Sequence, residues 1–202
     1  MSVHASTADP LSTDPVARFA AVFAKAVAGD PESGNACVLS TVGRDGGPSA
    51  RVVLLKSFDA RGFVFFTNLL SRKAQEMHHD PRATLTFFWS RLGEQVRVEG
   101  TVTPVDEAEA QAYFSTRPRL SQLGAWASEQ SQPLASRAML DERVATVARE
   151  FEGREVPCPP HWGGLRLEPS RIEFWQAEVH RLHTREVYAR GTAGWQAGLL
   201  FP

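Results

Sequence analysis

The sequence predicts an α+β protein, an antiparallel sheet curled into a small barrel and decorated with helices. Three observations carry this reading. Between residues 36 and 105, five β-type segments succeed one another through short turns, with one helix inserted. Before and after them, apolar residues recur at helical spacing. The chain has 202 residues, 43% of them apolar, which is enough for one domain with a real core.

Residues 1–13 are small and polar and are expected to be disordered, leaving 14–202 as the single domain. Asp14-Pro15 is a cap followed by a first helical position, and Val16, Phe19, Ala20, Phe23 and Val27 then share one face until Gly29-Asp30-Pro31. Strands follow over 36–42 and 49–58, joined by the hairpin turn Arg44-Asp45-Gly46-Gly47. Asp59-Ala60-Arg61-Gly62 turns into a third strand over 63–68. Ser71 caps a short helix that Asp80-Pro81 stops, and strands over 84–89 and 95–105 complete the five. Asp106 to Glu109 resembles a capping box, and Pro118 ends the helix that it starts. A second short helix runs through Trp126. Pro133 is expected to open a third, with Leu140, Val144, Val147 and Phe151 on one face. Strands around Leu165, over 172–176, over 181–188 and at Trp195 close the chain.

A net charge of −1 argues against bulk electrostatic binding to nucleic acid or membrane, so any anion site must be local. No apolar run approaches the roughly 18 residues of a membrane span. Residues 1–15 lack the cationic start and apolar stretch of a signal peptide, and a cytoplasmic location is expected. Cys37 and Cys158 have no metal or redox spacing and read as idle thiols. No metal cluster, glycine-rich phosphate loop or nucleophile elbow is present in the sequence.

Only three of the 22 cationic residues are lysines, and Lys56 and Lys73 lie close together. Lysine binds phosphate as a point charge. On the strand over 49–58, Arg51 and Lys56 fall on opposite, otherwise apolar faces, where buried cations need partners. The plainer alternative is that both snorkel at strand ends. Arg72 and Lys73 follow Ser71 into the first helical turn, where cations oppose the helix dipole unless an anion is bound. Tyr113, Arg117 and Ser121 recur at a spacing of four, which on an unbroken helix would make a second anion pocket; Pro118 argues for a break. Arg181, His183 and Arg185 alternate along the expected strand and share a face. Trp175 is either core or a platform for a flat ligand.

Taken together, Arg51-Val-Val-Leu-Leu-Lys56, Phe65-Phe-Thr-Asn68, Ser71-Arg-Lys73, Gln95 to Gly100, Tyr113 to Trp126, Ser128 to Ser131, Ile172 to Gln176 and Arg181-Leu-His183-Thr-Arg185 resemble the pyridoxine/pyridoxamine 5′-phosphate oxidase family. The resemblance implies an FMN-binding split barrel that oxidises pyridoxamine or pyridoxine 5′-phosphate to pyridoxal 5′-phosphate, with O2 reoxidising the flavin and releasing hydrogen peroxide. It implies that Arg51, Arg72 and Lys73 grip the FMN phosphate, that Lys56, Phe66 and Thr67 line the cofactor, and that Gln95, Trp175 and Arg185 contact the flavin. Gln130 and Ser131 would reach it from the neighbouring subunit of a homodimer. Lys56, Tyr113, Arg117 and Ser121 would bind the substrate phosphate, and Arg181 and His183 would lie against the pyridine ring. Thr184 stands where the family carries an acid, Ala177-Glu178 where it carries two glycines, and residues 1–16 lack its arginine- and tyrosine-containing segment. The chain ends Leu199-Leu200-Phe201-Pro202 in place of the family's Arg-Leu-x-Pro. Two other readings stand beside this one: a flavin oxidase acting on another flat aromatic of phenazine-precursor type, and a non-catalytic FMN or pyridoxal phosphate binder.

Overall fold

The computed structural model describes residues 14–202, so the expectation for 1–13 lies outside the described residues. Helix α1 (Pro15–Gly29) starts where the Asp14 side chain accepts from the backbone N–H of Val16 at 2.9 Å and Ala17 at 3.1 Å. It buries Phe19, Val22 and Ala26 against the sheet. Phe19 meets Phe58 and Phe63 edge-on at 4.9 Å each, so one helical face packs into the main core.

The strands are β1 (Ala36–Val42), β2 (Pro48–Leu54), β3 (Ser57–Asp59), β4 (Gly62–Asn68), β5 (Arg82–Trp89), β6 (Glu94–Pro104), β7 (Trp162–Gln176), β8 (Thr184–Gly191) and β9 (Gly194–Leu199). They pair antiparallel in the order β2-β1-β5-β6-β7-β4-β3, with β8 on β7 and β9 on β8. The two ends of that order, β2 and β3, are consecutive in the chain. The expected single strand over 49–58 is therefore broken. At Leu55 the backbone N–H still bonds Asn35, whereas Lys56 already bonds Val64 of β4, both at 2.9 Å. The chain changes partners there, with Leu55 2% exposed and turned inward, and this joins the ends of the barrel.

Strand β7 corrects a second expectation. Two strands were expected, around Leu165 and over 172–176, but the structure has one strand of 15 residues. One edge of β7 pairs with β6 along most of its length. The other edge is divided, with residues 162–167 on β4 and 171–176 on β8. The division needs close backbone approach. A Cβ on Gly100, where the β6 register shifts, would lie 2.0 Å from the Glu168 carbonyl oxygen.

A third correction concerns residues 181–188. The strand begins only at Thr184. Val179–Arg181 form a single 3-10 turn in which His180 and Arg181 have φ of 57° and 63°. No glycine marks this turn in the sequence, so alternation alone could not reveal it, and Arg181, His183 and Arg185 do not share one strand face.

Four further helices complete the chain: α2 (Arg72–His79), α3 (Glu107–Ser115), α4 (Arg119–Ala127) and α5 (Arg137–Glu150). Asp106 caps α3 through the Glu109 N–H at 2.7 Å, as expected. Helix α5 opens later than Pro133, at the Ser136 cap, whose hydroxyl accepts from Met139 N–H at 3.2 Å. Around α3 to α5 a second core gathers Phe114, Leu123, Phe151, Val156 and Trp162. No helix among the described residues is long and apolar enough to cross a membrane.

Candidate active site

Two polar clusters meet in one open cavity of about 680 Å³, a size in the range of small-ligand sites. Its walls include Lys56, Phe66, Thr67, Lys73, Tyr113, Arg117, Ser121 and Gln130. Val52 and Leu54 enter it from the same face of β2, so Lys56 arrives there because it continues their alternation at the point where the barrel joins.

The first cluster is built on the start of α2. Ser71 occupies the cap position without a capping side-chain bond, because its hydroxyl instead accepts from Lys73 Nζ at 3.2 Å. Lys73 Nζ also donates to Thr67 Oγ1 at 3.1 Å and Gln130 Oε1 at 2.7 Å. Burial holds the Lys73 ammonium below the ordinary lysine range; the Arg51 charge pushes it the same way and Glu76 opposes. Gln130 is therefore a neighbour of Lys73 within one chain, which corrects the expectation that it reaches the site from another subunit. Ser131 follows it in a tight turn with φ of 75° and is exposed.

Behind Lys73 stands a residue that the sequence reading missed. Glu76, 5% exposed, accepts from Thr41 at 2.6 Å, from Arg51 Nη2 at 2.9 Å and from Arg72 Nε at 2.7 Å. Burial alone would raise its carboxyl, but these donors outweigh burial and hold it below the usual carboxylate range. The signal was present as an Arg72/Glu76 pair at a spacing of four. Arg51 also donates to Leu39 O at 3.3 Å, to Thr41 Oγ1 at 2.5 Å and to Ser49 Oγ, so the protein itself fixes its fork.

The second cluster gathers Lys56, Tyr113, Arg117 and Ser121. Pro118 does break the helix, as the cap residue of α4, yet the kink brings all three residues at spacing four onto the same cavity. Arg117 is half-buried, and its Nη1 is fully buried with no hydrogen-bond partner. Burial lowers its pKa. Among the described residues, the other arginines withdrawn from solvent (Arg18, Arg51, Arg97, Arg143, Arg166, Arg171 and Arg185) each pair with a carboxylate; Arg117 pairs with none.

The remaining predicted residues lie elsewhere. Phe88, Gln95, Trp175 and Arg185 are successive Cα partners across β5, β6, β7 and β8, so they form one row on a sheet face. Glu173, 3% exposed and also missed, accepts from Arg185 Nε at 2.8 Å and so anchors that end of the row. His183 packs on Trp175 at 4.5 Å, and its Nδ1 accepts from Glu178 N–H at 3.1 Å, which leaves Nε2 to carry the proton of the neutral ring. Trp175 is thirteen residues along β7 from the cavity residue Trp162, or about 40 Å of strand at roughly 3.3 Å per residue. Along β7 itself, Trp175 and the cavity residue Trp162 stand near opposite ends of the strand.

Topology and clusters together define a split-barrel protein with an anion-receptive cavity. The chain belongs to the pyridoxine/pyridoxamine 5′-phosphate oxidase family: the family's pyridoxamine 5′-phosphate oxidase region matches residues 23–149, and its C-terminal dimerisation region matches 162–202. It is 57% identical over 192 residues to the pyridoxine/pyridoxamine 5′-phosphate oxidase of Myxococcus xanthus (strain DK1622), covering 94% of this chain and 92% of that one. Identity to the enzyme of the same name from Anaeromyxobacter dehalogenans (strain 2CP-C) is 53% over 189 residues, covering 94% and 96%. Among solved structures, PhzG from Burkholderia lata 383, in complex with tetrahydrophenazine-1-carboxylic acid, superposes with a TM-score of 0.90 at 31% identity, covering 96% of this chain and 95% of that one. The dimerisation region takes in β7 to β9, and with them Trp175, Arg181, His183 and Arg185.

Proposed function

We propose that the chain oxidises pyridoxine and pyridoxamine 5′-phosphate to pyridoxal 5′-phosphate with FMN as cofactor. The observation that carries the substrate class is Arg117, a withdrawn cation whose Nη1 has no protein partner and which shares its cavity with Lys56, Tyr113 and Ser121. That donor set suits a phosphate and leaves a buried donor unmet with an unphosphorylated analogue. The relatives' names point the same way.

The first cluster fits the phosphate of FMN. Arg51, Arg72 and Lys73 against Glu76 leave two net positive charges, the complement of a phosphate dianion. When bound, FMN supplies the two-electron acceptor, which O2 regenerates with release of hydrogen peroxide. Thr67 and Gln130, both already bonded to Lys73, hold that ammonium in place at the cavity wall. Lys56, Tyr113, Arg117 and Ser121 bind and orient the substrate through its phosphate.

The row of Gln95, Trp175 and Arg185, together with Arg181 and His183, completes the site from a second copy of the chain. The match of β7 to β9 to a dimerisation region supports this division. From there His183 presents a proton at Nε2, and Arg181 lies against the pyridine ring. Cys37 and Cys158 are free thiols, which suits a reducing cytoplasm.

FMN-loaded protein given either phosphorylated vitamer is expected to consume O2 and release hydrogen peroxide, while unphosphorylated pyridoxine at equal concentration gives at most about a hundredth of the rate. Turnover of non-phosphorylated, phenazine-type aromatics but of neither vitamer phosphate would overturn this reading. Flavin binding with no peroxide from any of them would mark a binding protein instead.

A further inference from the structure

A half-buried arginine with no carboxylate partner, one of whose nitrogens is fully buried, must be held by something else. What lies against Arg117 is Trp162, the first residue of β7, which no sequence pattern singles out. Its indole is 9% exposed and lines the cavity. The Arg117 guanidinium carbon sits 4.9 Å from the centre of the Trp162 ring and 5.5 Å from that of Phe114. Trp162 is itself fixed on several sides. Phe66 stacks on it at 5.2 Å and 8°, Phe114 meets it edge-on at 5.0 Å, and Tyr113 stacks on Phe66 at 4.1 Å. Its backbone N–H donates to Pro159 O at 3.0 Å.

We propose that Trp162 is a positioning residue that determines specificity, holding Arg117 through its ring face so that the cation stays unneutralised and is aimed at a phosphate. The contrast within the fold carries the argument. Arg166, more deeply buried, is bonded to Asp59 at 3.2 Å and to Glu109 at 3.0 Å, and its charge is spent on the protein. A carboxylate under Arg117 would do the same. An aromatic face attracts the cation without accepting its N–H groups in the plane, so those groups and the net charge remain for a ligand. In a partly desolvated pocket that charge acts more strongly on a dianion than it would in water. An uncharged hydroxymethyl group could not use it.

The inference rests on the oxidase reading, and the test separates the two. Trp162→Phe keeps a weaker aromatic face, whereas Trp162→Leu removes it at a bulk nearer to that of phenylalanine than of tryptophan. Holding Arg117 by the ring face predicts a graded rise in KM for pyridoxine 5′-phosphate, about threefold for the Phe variant and about tenfold for the Leu variant, with kcat within twofold. A merely structural role predicts losses of affinity that follow losses of melting temperature across the two variants, or a fall in kcat with KM unchanged, and either result overturns the proposal. If Trp162→Leu fails to fold, Trp162→Phe decides alone: unchanged KM overturns it. Inorganic phosphate binding to the FMN-loaded protein, followed by calorimetry, gives a readout without turnover. Phosphate affinity should fall in the order Trp, Phe, Leu, and equal affinities would sink the inference. Absence of turnover by the unsubstituted protein with either vitamer phosphate would instead sink the oxidase reading, leaving the phosphate series to judge Trp162.

Discussion

Replacing Arg117 with methionine is expected to raise KM for pyridoxine 5′-phosphate by about 100-fold, because truncating one side of a desolvated charge pair typically removes 2–5 kcal/mol of binding. The same change should leave the melting temperature unchanged or higher. Arg117 has no carboxylate to lose, its Nη1 is buried without a partner, and methionine keeps the apolar stem against Trp162. Opposite signs for binding and stability mark a residue held for function rather than for folding. Steady-state kinetics beside a thermal melt check both, and a variant that loses stability along with affinity would return Arg117 to the core.

Glu76→Ala should show the reverse balance. Removing one member of a buried ion pair destabilises by about 3–5 kcal/mol. Arg51 keeps 20% of its side-chain surface, so about 2–3 kcal/mol is the better expectation here, or a melting temperature lower by about 5–10 °C. The pH dependence has a definite sign. The folded Glu76 carboxyl lies below its unfolded value, so its contribution is fully present above the ordinary carboxyl range near pH 4.3 and is lost as pH falls through the lower, folded value. The gap between wild type and variant in thermal melts should be widest at neutral pH and should close only at strongly acid pH. A gap that is constant with pH would mean that Glu76 contributes packing and not charge.

What could be read in the sequence follows the range of the interactions involved. The cap at Asp14, the hairpin at Arg44–Gly47 and the cap at Asp106 rest on contacts within a few residues and were legible. So was the gathering of Lys56, Tyr113, Arg117 and Ser121, although the Pro118 kink and not an unbroken helix brings them together. The continuity of β7 was not legible, because residues 162–167 are buried on both faces and show no alternation. The turn at Val179–Arg181 uses left-handed backbone at His180 and Arg181 with no glycine to announce it. Gln130 joins Lys73 across 57 positions through the tertiary packing of a turn on a helix start, and Glu173 joins Arg185 through the register of two strands; single-residue patterns encode neither.

The divided edge of β7 has a genetic consequence. If the site is shared between two copies as proposed, a mixed dimer formed by a chain damaged at Lys73 and a chain damaged at Trp175 would contain one doubly crippled site and one intact site. Two defective alleles could then complement each other in the same cell, whereas two alleles damaged at the same end could not.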